Sequence, residues 1–257
     1  MTRSGIPRLP LDEAKAAADE AGVPDYMAEL SIFQVLLNHP VLARTLNDLL
    51  ATMLWHGALD SRLRELVIMR IGWLTACDYE WTRHWRVASG LGVPADDLLG
   101  VRDWPAYEGF GPTERAVLAA TDDVVRDGAV SAESWAACER ELGGDRTVLI
   151  ELVTAIGAWR MVASILHSLK VPLEDGVASW PPDGRSPSGA SRATSSSNRL
   201  TTSGARSRQL CGRRSRSRIC GLSGFAAWAS TRPAPWSRST AMRAPCRSAR
   251  PMRRNAT

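Results

Sequence analysis

The stretch that most restricts what this chain can fold into is SRLRELVIMRIGWL, residues 61–74. Leu63, Leu66, Val67, Met69, Ile71, Trp73 and Leu74 cover so much of a helical circumference that few positions remain to meet water. Such a helix has to be surrounded by others, and the flanking sequence supplies them. Residues 25–38 carry Met27, Leu30, Phe33, Leu36 and Leu37 at helical spacing, and Pro40 stops that run and starts the next helix. Leu42, Leu46, Leu49, Leu50 and Met53 predict one apolar face for the helix after Pro40. Asp12, Asp60 or Ser61, Ser131 and Asp145 stand where helices would begin, and Gly22, Gly57, Gly90 and Pro172 where they would end. No alternating apolar–polar run suited to a strand occurs before residue 185. The expected class is all-α, a bundle of about seven or eight helices with residues 61–74 at its centre. The segment from Trp104 to Gly111 reads as a loop long enough to cover a site.

Charge divides the chain in two. Residues 186–257 hold 15 Arg and no Lys, Asp or Glu, which leaves 17 basic residues against all 27 acidic ones in residues 1–185. The overall net charge of +5 therefore describes neither part: the first carries a formal −10 and the second +15. Residues 1–185 are long enough for a substantial core and form the expected folded domain. Residues 186–257, rich in Arg, Ser, Pro and Gly, cannot bury enough apolar area and are expected to be disordered. A basic arm for nucleic acid is one reading of that tail. The complete absence of Asp, Glu and Lys favours another, translation of GC-rich DNA out of frame. The opening MTRSGIPRLPLDEAK has no apolar core of a signal peptide, and residues 152–166, the most apolar stretch, are interrupted by Arg160, so no membrane span is expected. The five Cys form no disulfide framework, which makes a cytoplasmic location the default.

Chemistry concentrates at the joint after the central helix, in CDYEWTRH, residues 77–84. Glu80 and His84 are four residues apart, on one face of a helix, where a carboxylate orients an imidazole and tunes it as an acid or base. Cys77 falls at the helix start, where free backbone N–H groups favour an anion, either a thiolate or a substrate carboxylate. Glu65, on the nearly all-apolar helix, requires a buried partner; His84, Arg64 and Arg70 are the candidates. Trp73, Trp81 and Trp85 are placed to wall a pocket, and Arg70 or Arg83 to hold a substrate carboxylate. Against this stand plainer assignments: a surface Glu80–His84 ion pair, Cys77 as a small buried hydrophobe, and tryptophans that only fill the core. The spacing of Glu65, Cys77, Glu80 and His84 matches no strong metal template, so no metal is expected.

With RELV at 64–67, CDYEWTRH at 77–84 and RMVASILHSLKVPLEDG at 160–176, the sequence resembles the carboxymuconolactone decarboxylase and alkylhydroperoxidase-like family over roughly residues 30–176. The hydroperoxidase branch of that family carries a Glu, a Cys-x-x-Cys pair and a His four residues beyond it. Glu65, Cys77 and His84 match this pattern, but Glu80 occupies the position of the attacking thiol, so a two-cysteine cycle cannot close within the motif. The decarboxylase branch carries Glu-aromatic-x-x-His, which Glu80, Trp81 and His84 resemble. The resemblance implies an alkylhydroperoxidase-like helical fold, homo-oligomers, and catalytic roles for Glu65, Cys77, Glu80 and His84 with Trp73, Trp81 and Arg70 about the substrate. The expected activity is cofactor-independent decarboxylation of a small carboxylated lactone or related organic acid, His84 moving the proton, Glu80 orienting it and Glu65 completing the relay. Peroxide reduction through a lone Cys77 thiol, resolved by an external thiol, is the second expectation, and a non-catalytic oligomeric binding protein the third.

Overall fold

A computed structural model of the chain describes residues 5–187. The expectations of disorder and out-of-frame origin for residues 186–257 therefore fall almost wholly outside the described residues. Among those residues the protein is all-α, with nine α-helices and two short 3-10 helices, slightly more than the seven or eight expected. The α-helices are α1 (Leu11–Ala21), α2 (Ser31–Leu36), α3 (Pro40–Trp55), α4 (Ser61–Leu74), α5 (Asp78–Gly90), α6 (Ala95–Gly100), α7 (Pro112–Asp127), α8 (Ala132–Glu141) and α9 (Arg146–Leu169).

The central position of α4 is as its composition demands. Every residue from Leu63 to Gly72 is buried, and α5, α7 and α9 pack around it. Asp60 caps α4, its carboxylate accepting the Leu63 N–H at 3.0 Å, and the Asp145 carboxylate does the same for α9 from Thr147 at 2.8 Å. His39 caps α3, with Nδ1 accepting the Leu42 N–H at 3.3 Å beside Pro40 in the first turn. Asp12 does not cap α1; Pro10 holds that position and Asp12 lies within the first turn. The helix expected over 25–38 is interrupted. Leu30 is extended between a 3-10 turn at Asp25–Glu29 and α2, and the Ser31 N–H this releases donates to the Glu174 carboxylate at 3.1 Å.

The buried face of α3 is also rotated from the expected one. Leu42 and Leu49 are 49% and 37% exposed, while Ala43, Leu46, Asn47, Leu50 and Met53 face inward. A polar side chain, Asn47, thereby enters the interior. The loop around Trp104–Gly111 is anchored to α7. The Arg115 guanidinium ties it down by donating to the carbonyls of Phe110 and Tyr107 at 3.0 and 2.7 Å. By length and composition α9 alone among the described helices could cross a membrane, but here its apolar face packs against α4 and α7.

Helices α4 and α5 meet closely where α5 begins. A β-carbon added to Gly72 would lie 3.1 Å from the Trp81 backbone nitrogen and 3.4 Å from Cβ of Glu80. The link between these helices turns through Ala76, at φ 53°, and the Cys77 N–H closes the turn on the Gly72 carbonyl at 2.8 Å. The Gly72→Ala variant is expected to push the first turn of α5 outward and to lose about 1–2 kcal/mol in urea denaturation.

Residues 171–187 form a strap across the outside of α5. Glu174 accepts from the Tyr79 hydroxyl at 2.6 Å, the Trp180 N–H donates to Asp78 at 3.1 Å, and Ser179 donates to the same carboxylate. Trp180 packs against Trp73 and Trp81 with ring centroids 6.0 Å away in both cases. Asp183 grips Arg102 through two hydrogen bonds of 2.8 and 2.9 Å, and Arg102 lies 4.8 Å from the ring centres of both Trp73 and Trp81. The folded contacts thus continue through Asp183, up to the point where the acidic residues end.

Candidate active site

Glu65 reaches His84 across the α4–α5 interface. Its Oε2 lies 2.7 Å from His84 Nδ1, and its Oε1 accepts from Arg64 Nε and Nη2, each at 3.2 Å. Glu65 is fully buried, so both partners are required: a carboxylate out of water needs compensating charge and hydrogen bonds. Of the three partners the sequence offered, His84 and Arg64 are taken; Arg70 is not. It is held elsewhere by Asp122, at 2.6 and 2.7 Å, and by the Val101 and Arg102 carbonyls.

The second ring nitrogen of His84 fixes the tautomer. Trp159 Nε1 lies 3.1 Å from His84 Nε2, and an indole N–H can only donate. Nε2 is therefore the acceptor, and the ring proton sits on Nδ1, donated to Glu65. Glu80 Oε2 lies 3.4 Å from the same Nε2. The arrangement reverses the expected order of partners: Glu65 on the neighbouring helix, rather than Glu80 four residues away, orients the ring. α9 contributes Trp159, which lies in the most apolar stretch of the sequence, residues 152–166.

Glu80 is consequently the carboxyl without a strong partner. Burial, reinforced by the charge of Glu65, pushes its pKa up to about 7. Glu80 and His84 both line a cavity of about 50 Å³ between α3, α5 and α9. A single water needs on the order of 10–15 Å³ by the same measure, so this space accepts the reacting end of a small molecule. Most of its wall is apolar, including Phe33, Leu50, Trp55 and Val162, with Asn47, Tyr79 and Arg83 as the other polar residues. Arg83 pairs with Glu174 at 3.8 Å, and burial lowers its pKa.

Four other expected site residues lie outside the cavity. Cys77 is the N-cap residue of α5 and only 2% exposed. Burial first, then the charges of Glu80 and Asp78, push its thiol well above the ordinary range, so the helix start does not make it a thiolate. Trp73 and Trp81 belong to the cluster under the strap, where Trp81 Nε1 donates to the Pro181 carbonyl at 2.7 Å. Arg70, fixed on Asp122, is likewise not available to a substrate here, and Arg83 is the cation at the cavity. Among the described residues no group of three or more His, Cys, Asp or Glu is placed to hold a metal ion. Asn47 and Tyr79 escaped the sequence reading, because the burial of Asn47 follows from the rotation of α3 and not from its apolar spacing.

Residues 40–123, from α3 to most of α7, match the carboxymuconolactone decarboxylase family. No curated protein matches the sequence significantly. Among solved structures the chain is similar to the debrominase Bmp8 in a complex with 2,3,4-tribromopyrrole, at TM-score 0.54 and 14% identity over 68% of this chain and 94% of that one. It is similar to an uncharacterized peroxidase-related protein from Ralstonia eutropha, described as an alkylhydroperoxidase AhpD core, at 0.52 and 17% over 67% and 92%. It is also similar to a protein from Agrobacterium tumefaciens described as a putative antioxidant defence protein AhpD, at 0.50 and 16% over 54% and 94%. At such identities the likeness concerns the fold alone. The chain thus has the alkylhydroperoxidase-like helical fold, and its residues 40–123 are similar in sequence to the carboxymuconolactone decarboxylase family.

Proposed function

We propose that the protein is a cofactor-independent acid–base enzyme that removes carbon dioxide from a small carboxylated lactone or a related organic acid. The observation that carries this reading is Glu80: a buried carboxyl with its pKa near 7, in an apolar cavity, 3.4 Å from an imidazole whose far side is locked by Glu65. A group poised near neutral pH is what proton transfer requires. In the reaction the bond between the substrate and its carboxylate carbon breaks, and the electron pair moves into a neighbouring carbonyl or vinylogous carbonyl. Carbon dioxide leaves, and the enolate carbon takes the proton of the Glu80 carboxyl. Glu80 is reprotonated from solvent. The apolar walls favour the loss of charge on the departing carboxylate, and Arg83 supplies the cation that holds an anionic substrate at the cavity.

The full-length protein, screened against γ-lactone carboxylic acids and β-keto acids for release of carbon dioxide, should turn over a member of this set. Glu80→Gln should lower kcat by about 10²–10⁴-fold, and the wild-type rate should fall above about pH 7 as Glu80 loses its proton. Unchanged turnover in Glu80→Gln would rule the mechanism out. Binding without turnover would support the non-catalytic reading. Peroxide reduction at Cys77 is disfavoured by the burial and raised pKa of that thiol, and lack of sulfenic-acid labelling after peroxide is the expected result. Exposed Val41 on α3 and Ile150 and Met161 on α9 support the homo-oligomer that the family resemblance implies.

A further inference from the structure

Asn47 lines the cavity that holds Glu80 and His84 and is 6% exposed. Its Nδ2 donates to Asp48 Oδ1 at 3.3 Å. That contact fixes which end of the amide is which, because the reverse orientation would set oxygen against a carboxylate. The amide oxygen is then left over: among the described residues nothing hydrogen-bonds Asn47 Oδ1. A buried acceptor without a donor is costly, and an apolar residue of the same shape would pack this face of α3 better. The remaining positions of that face, Ala43, Leu46, Leu50 and Met53, are apolar. The cavity thus combines an acceptor in want of a donor, a cation at Arg83 and hydrocarbon walls.

The geometry points to Asn47 as the residue that selects the substrate by accepting a hydrogen bond from its hydroxyl group. The ligand class is a small, branched or unsaturated hydroxy acid, with the carboxylate toward Arg83 and the hydroxyl on Asn47 Oδ1. This rests on the assignment of the same cavity as the substrate site and adds the chemical group that the site distinguishes. A site built around a buried acceptor discriminates strongly against analogues that cannot donate, since those leave the acceptor unpaired in the complex.

The test is calorimetric titration of the full-length protein with 2-hydroxy-4-methylpentanoate, 4-methylpentanoate and 2-methoxy-4-methylpentanoate. The three share a carboxylate and a branched tail, and only the first offers a donor. The wild type should bind the hydroxy acid on the order of tenfold tighter than either of the others. Asn47→Leu should bring the hydroxy acid down to the affinity of 4-methylpentanoate and leave the latter unchanged. Affinities of the wild type within twofold of one another, a preference retained in Asn47→Leu, or no binding of any of the three would overturn the proposal. If Asn47→Leu shows no cooperative thermal transition, the wild-type series decides alone. Failure here is separable from failure of the decarboxylase reading. Carbon dioxide release abolished by Glu80→Gln, without a hydroxyl preference, removes the role of Asn47 and keeps the chemistry. A hydroxyl preference without carbon dioxide release does the reverse.

Discussion

Unfolded in urea at about pH 8, Glu80→Gln is expected to be more stable than the wild type by on the order of 3 kcal/mol, whereas near pH 4 the two should unfold together. In the folded protein Glu80 holds its proton up to about pH 7, from an ordinary value of 4.5. Between those values the folded state binds a proton that the unfolded state has released. The wild type therefore keeps its full stability below about pH 4.5 and loses it as the pH rises through 7, where the buried carboxyl must ionise. Gln has nearly the same shape and nothing to ionise, so its stability curve lacks that slope. The measurement is the denaturation midpoint of both proteins across pH 4–8. Parallel curves would mean that Glu80 is not held protonated, and the proposed proton donor would be lost with it. The expected gain in stability together with the loss of activity is what distinguishes a functional group from a structural one.

Removal of the carboxylate behind His84 has the opposite sign. Glu65→Ala leaves the Arg64 guanidinium buried without its anion and His84 Nδ1 without its acceptor, and should cost about 3–5 kcal/mol. Unfolding at the assay temperature would by itself abolish the activity of such a variant, so a second variant is needed. Arg64→Met/Glu65→Leu exchanges the buried ion pair for apolar side chains and should recover part of the loss. Activity should not return, since the imidazole remains without the carboxylate that orients it. A double variant both stable and active would show that Glu65 serves only to neutralise Arg64.

How much of the site was legible in the chain differs from residue to residue. Glu65 was conspicuous because a carboxylate on a helix apolar all round must meet a partner inside, and the partners it meets, His84 and Arg64, were among those the sequence offered. The Glu80–His84 spacing placed both residues on one face, and both do line the cavity. Their division of labour was not legible. Spacing along one helix says that two side chains are near, but hydrogen bonds are directional, and here a neighbouring helix on each side claims one nitrogen of the ring. Cys77 read as a helix-start thiol, but the field of a helix terminus is a short-range effect, and burial beside Glu80 and Asp78 outweighs it.

The sequence by itself determined the all-α class, the central place of residues 61–74, most helix boundaries and the presence of two acids and an imidazole near one joint. These follow from local properties: apolar periodicity, capping residues and the preferences of Pro and Gly act within a few positions of chain. Only the tertiary structure decided which cation faces the substrate space, that Trp159 closes the imidazole, that Trp73 and Trp81 lie beneath the strap, and that Asn47 rather than Leu42 or Leu49 points inward. Each depends on how a helix is rotated about its axis when it packs, and that rotation is set by the shapes of neighbours far away in the chain. At Gly72 it is the missing side chain that lets α5 approach α4 closely, at the interface across which Glu65 reaches His84.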